Sequence, residues 1–152
     1  MKRSLKIAVC GMILFFVSGV ALAEFGKPEE AIYYRKAVMT IIAQHFGHIA
    51  GMIKGQMPYD QSKVKKDTAI IATMSKLPWE AMLMPGSDKG DTTLKPAVMV
   101  DKDAFTARAK QFEGAAKKLA ETAKSGGLDD VKAQFGQVAM NCKACHETYR
   151  KK

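Results

Sequence analysis

Leu128, Val131, Phe135, Val138, Cys142, Cys145 and Tyr149 follow one another at intervals of 3, 4, 3, 4, 3 and 4 residues. Side chains three and four apart share one face of an α-helix, so this spacing predicts an amphipathic helix over 128–149 with both cysteines on its apolar stripe. Such a stripe has to be buried against other elements, and three more helical periods precede it. Pro28, Glu29 and Glu30 suit the start of the first, with proline where no N–H is needed and acids at the positive helix end. Ala31, Val38, Ile42, Ile49 and Met52 carry it until Gly55 and Pro58 stop the pattern. A second run starts near Asp60, holds Val64, Ile71 and Met74, and ends at Pro78. From Pro78 to Val100 the chain is rich in Gly, Pro, Asp and Thr and reads as a long loop. Asp101 or Asp103 caps the third run, in which Phe105, Ala109, Phe112, Ala116, Leu119 and Ala123 recur by threes and fours before Ser125-Gly126-Gly127. No run alternates as a strand does. The chain is therefore predicted to be all-α, an antiparallel up-down-up-down four-helix bundle whose core can hold a site between facing helices.

Residues 1–23 read as an address. Lys2, Arg3 and Lys6 precede a nearly unbroken apolar run from Ile7 to Val20, and Ala21-Leu22-Ala23 stands before Glu24. This is the pattern of a secretory signal peptide, and the run is shorter than the ~20 residues that span a membrane. Its removal takes Cys10 with it and leaves 24–152 as one exported, periplasmic domain with no membrane attachment. The whole chain has 24 Lys+Arg against 15 Asp+Glu, a net charge of +9. Basicity without an aromatic-interleaved basic stripe gives no nucleic-acid surface. Three cysteines are too few for a disulfide-built miniprotein. A Gly-rich phosphate loop and a nucleophile elbow are both absent.

The chemistry sits at the end of the last helical run, in Cys142-Lys143-Ala144-Cys145-His146. Two thiols at that spacing can form thioethers to the two vinyl groups of haem, and the adjacent imidazole then reaches the iron as proximal ligand. Other uses of the pair fit less well. Structural zinc wants four ligands, and there is no second cysteine pair. A thioredoxin-like site lies near a βαβ pattern, and a disulfide three residues apart closes a trivial loop. One covalent haem c, held by Cys142 and Cys145 with His146 on the iron, is the expected cofactor.

Set beside the other helices, this motif resembles the cytochrome c′ family over essentially all of 24–152, a family that is itself a standard up-down-up-down bundle. The resemblance rests on Lys27-Pro28-Glu29-Glu30-Ala31 with Tyr34-Arg35, His45-Phe46-Gly47, Leu77-Pro78-Trp79, Lys95-Pro96-Ala97-Val98, and Cys142 through His146 to Tyr149-Arg150-Lys151. It implies five-coordinate iron under an apolar side chain of the first helix, binding of nitric oxide and carbon monoxide, a part in electron transfer, and homodimers packed through the first two helices. The side chain covering the iron is then Met39. A leucine there could not ligate, whereas a thioether can, so the alternative is a low-spin electron carrier with Met39 as sixth ligand. The resemblance places Arg35 near a haem propionate, where a guanidinium suits a carboxylate, with Lys36 and the Asp91-Thr92 loop as further candidates for that edge. Arg150 matches a proximal arginine that bonds the imidazole or a proximal ligand, or else complements the negative helix end. Trp79 is expected to pack beside the haem, and His45 and His48 to hold a surface or core-edge position. Met82 and Met99 stand where relatives often carry aromatic residues, and the loop around Leu83 and Met84 is one residue longer. With no distal acid–base histidine at a peroxidase position, the resemblance points to a haem protein that is not an enzyme. Its redox partner protein is unknown from sequence. Substituting Cys142→Ser or Cys145→Ser should release haem from covalent attachment, checked by acid–organic extraction; haem retained in full by both variants would contradict the assignment.

Overall fold

Pro28, with Glu29 and Glu30 in the first turn, starts α1 (Pro28–Ile53). Gly55 ends it in the left-handed region at φ 68°, where a residue without Cβ is at no disadvantage. Asp60 then caps α2 (Gln61–Met74), its Oδ1 accepting the Lys63 N–H at 3.0 Å. Two short helices, α3 (Trp79–Leu83) and α4 (Ala97–Val100), precede α5 (Lys102–Ser125) and α6 (Leu128–Tyr149). The computed structural model describes residues 25–152, and the signal peptide assigned to 1–23 lies outside them. Among the described residues no helix is long and apolar enough to cross a membrane.

The structure departs from the expected long loop at 78–100. That stretch holds α3 and α4, five and four residues long, and an antiparallel bridge between Leu94 and Arg150. One turn of helix is too short to show a period, and its Gly and Pro content masks it. Asp101 does stand at the N-cap of α5, but its side chain makes no cap hydrogen bond; its backbone carbonyl accepts the Phe105 N–H at 3.0 Å. The α5–α6 turn needs glycine at 126, because a Cβ there would lie 2.7 Å from the Thr122 carbonyl oxygen. Asp130 steadies the start of α6 by accepting the Gly127 N–H at 3.1 Å.

Backbones approach closely in the order α1–α2, α2–α5 and α5–α6. Across α1 and α6 the rings of Phe46 and Phe135 stack at 3.9 Å. The main core draws on all four long helices, with Val38, Ile42, Ile49 and Met52 meeting Val64 and Ile71, Phe112 to Ala123, and Val131 and Val138. A second cluster of Leu94, Val98, Phe105 and Tyr149 fills the end where α3 and α4 pack. Every apolar position read on α1 and α5 is buried. On α6 the stripe is buried at Val131, Val138 and Tyr149, half-buried at both cysteines, and open at Leu128, 38% exposed. Leu119→Ala, which empties a fully buried site on α5, should lower the unfolding free energy by about 2–5 kcal/mol in urea titration. Val100→Ala, at a residue 85% exposed, should stay within about 0.5 kcal/mol of the parent.

Candidate functional site

The two thiols of α6 sit one turn apart on different parts of the core. Cys142 packs against the main cluster and Cys145 against the second, while Trp79 touches both. The thiols are not joined as a disulfide. Burial, and then the proximity of Cys145, pushes the Cys142 thiol up to about 11. Burial raises Cys145 as well, against the pull of the Arg108 charge. Both are therefore protonated at neutral pH and poor nucleophiles towards stray oxidants.

His146 follows Cys145 by one residue, hence by ~100° around the helix. Four residues after Cys142, it is also expected to share the cysteines' face and point into the bundle, but the structure leaves it more open than they are. His146 lies on the exposed flank of the stripe, near enough to packed atoms that desolvation, and then the like charge of Arg150, lowers its pKa. The imidazole is thus neutral at neutral pH, with a lone pair free for a metal. Its end of α6 is tied down by three bonds. Lys95 N–H donates to the Tyr149 carbonyl at 2.9 Å, Lys151 N–H to Thr93 at 2.7 Å, and Lys95 Nζ to Glu147 at 3.0 Å. Arg150 takes the C-cap, its N–H reaching the His146 carbonyl at 3.1 Å; among the described residues its side chain makes no hydrogen bond to the imidazole.

On α1, Met39 is half-buried against the same cluster as Cys142. Arg35, one turn earlier, is 3% exposed. Its Nη1 donates to the Ala81 carbonyl at 2.9 Å, and its Nη2 to the Ser87 carbonyl and to Thr92 Oγ1 at 2.6 Å. Burial lowers its pKa, with the Asp88 charge opposing, yet a guanidinium stays charged in proteins. The side chain pins residues 81–92 to α1. Lys36 and Asp91 do come together, 2.8 Å apart at the surface, and the hydrogen bond from Lys36 followed by its charge lowers the Asp91 carboxyl.

Trp79, expected beside the haem, leans on both core clusters. Its ring stands edge-on to Phe105 and Phe112, at 5.9 and 6.0 Å between centroids. Its Nε1 is buried with no hydrogen-bond partner among the described residues, a state that costs about 1–3 kcal/mol. The donor set fits a haem: two thiols one turn apart, a neutral imidazole beside the second, apolar walls from both clusters, and a buried N–H awaiting an acceptor.

Known proteins agree with this geometry. The family model described as Cytochrome C' matches residues 30–150. A cytochrome c′ of Alcaligenes xylosoxydans xylosoxydans is 40% identical over 129 residues, covering 85% of this chain and 99% of its own. The solved cytochrome c prime of Shewanella frigidimarina superposes with a TM-score of 0.81 at 36% identity, over 84% of this chain and 99% of that one. Variants of the Alcaligenes xylosoxidans protein, one a nitric oxide complex and one with carbon monoxide bound, each give a TM-score of 0.78 at 40% identity, over 85% of this chain and 100% of theirs.

Arg35→Leu should free the 81–92 segment, leaving buried acceptors unpaired at a loss of about 2 kcal/mol. Limited proteolysis should then cut within 84–92 faster than in the parent. Lys36→Ala, which removes only the exposed ion pair, should leave the cleavage rate unchanged.

Proposed function

The chain belongs to the cytochrome c′ family, and from that premise we propose an exported, gas-binding haem protein of the periplasm that exchanges electrons and is not an enzyme. Residues 1–23 serve as the removed signal peptide and 24–152 as the haem domain. The family's haem c is bound through Cys142 and Cys145, with His146 on the iron. When bound, the iron supplies a position for a diatomic gas and a one-electron couple. All else is work for the protein chain.

The supporting observation is the seating of the two thiols, each in its own core cluster with Trp79 across both. That arrangement would hold a large apolar ring through the two thiols, whose positions are set by packing. Met39, half-buried against the cluster that seats Cys142, would cover the iron. Burial, and then the like charge of Arg150, disfavours the protonated form of His146. Arg35 has Nε–H and a second Nη1–H beyond its three loop bonds, and with Lys36, Asp91 and Thr92 it forms the polar edge for the propionates. Gas binding is supported by the nitric oxide and carbon monoxide complexes of the Alcaligenes protein. A homodimer through the first two helices is supported by the outer face of α1, where Tyr33, 78% exposed, Ala37 and Ile41 recur every four residues.

A second reading makes Met39 the sixth ligand of a low-spin electron carrier. It is favoured by the half-burial of that thioether against the cluster that also seats Cys142. The absorption spectrum of the reduced holoprotein decides between them. A high-spin spectrum that shifts on adding carbon monoxide is expected. A sharp low-spin spectrum indifferent to the gas, converted to high-spin by Met39→Leu, would establish the second reading instead, and light scattering of the same sample should give the mass of two chains.

A further inference from the structure

Away from the haem site, α1 and α2 bring three ligand-bearing side chains to one point. His45 and His48 lie three apart on α1 and share a face, and Asp67 meets them from α2. One ligand atom from each lies within 4.8 Å of the other two. Asp67 is 2% exposed, and among the described residues its only ionic partners are the two histidines.

The carboxylate is only half accommodated. Its Oδ1 is 2.7 Å from His45 Nδ1, an ordinary hydrogen bond. Oδ2 lies 3.3 Å from His48 Nδ1, yet both atoms are buried and neither has a hydrogen-bond partner among the described residues. Two buried polar atoms that face each other without bonding are each left with a desolvation penalty. Their separation has another meaning. A tetrahedral zinc ion with bonds of ~2.0–2.1 Å holds its ligand atoms about 3.3 Å apart.

The outer contact suits the same use. Gln44 Nε2 is 3.0 Å from His48 Nε2. Turning the Gln44 amide over presents its Oε1 to a proton on His48 Nε2, which leaves the lone pair on Nδ1, aimed at Asp67. Two imidazoles and a carboxylate are a donor set for zinc, with copper(II) the stronger competitor, and water completes a four-coordinate site.

We propose that His45, His48 and Asp67 form a zinc site that clamps α1 to α2. It is independent of the haem assignment. The holoprotein is nonetheless the right sample, since the chain has three histidines and the third, His146, is engaged by the iron. Chelator-treated holoprotein titrated with Zn²⁺ in a calorimeter should take up one ion per chain with micromolar or tighter affinity. Zinc K-edge absorption should show nitrogen and oxygen ligands without sulfur. Substitution H48Q, at a side chain 29% exposed and so tolerant of change, should weaken binding about 100-fold, and Q44L about tenfold, with the haem spectrum of both intact. No saturable uptake below about 100 μM, sulfur in the absorption edge, or unchanged affinity in H48Q would each overturn the proposal.

Discussion

A guanidinium buried among carbonyls holds the site end of this molecule together. A charge at 3% exposure needs hydrogen-bond acceptors around it, and Arg35 finds three in the Ala81 and Ser87 carbonyls and the Thr92 hydroxyl. Those bonds fasten the irregular 81–92 stretch to α1. Residues 93–95 of the same connection are fastened in turn to the end of α6 through the Leu94–Arg150 bridge. Trp79 sits at the head of this strap and leans on both core clusters. The distance between Met39 on α1 and the thiols on α6 is thus governed by backbone polar groups as well as by apolar packing.

The long helices were legible because their burial is periodic. The stripes of α1 and α5 could be read residue by residue, since one helix face meets one core. The haem motif was legible as chemistry, because two thiols and an imidazole at fixed spacing have few other uses. Three things escaped. The turns α3 and α4 are shorter than a period. The resemblance assigned Arg35 to a propionate, and only the fold shows the carbonyls that hold its guanidinium inside. Asp67 stands in a lysine-flanked stretch of α2 where nothing local marks it, and its meaning comes from two histidines more than 15 residues away. Pattern reading sees one element at a time, whereas each of these depends on the neighbour.

Cytochrome c′ membership and the local chemistry are complementary. The family supplies the expectation of haem, and the physical state of the residues says why this end of α6 suits it. Thiols kept protonated by burial do not oxidise readily, and an imidazole kept neutral is ready to ligate. The methionines at 39 and 82 add polarizable, mobile surface on the apolar side, so the pocket can reshape more easily than one lined by rigid aromatic rings.

The connection between α5 and α6 is just residues 126 and 127, whereas α2 reaches α5 through everything from 75 to 101. Ring-closure entropy grows with the length of chain enclosed. The helix pair that carries both cysteines is therefore the part of the bundle least penalised for coming together. Trp79 and Leu94, which complete the walls around those cysteines, belong to the stretch whose ordering gives up the most chain freedom. One half of the pocket is local in the chain and the other half is remote, so loosening the fold would undo the remote wall while the sulfur atoms kept their spacing.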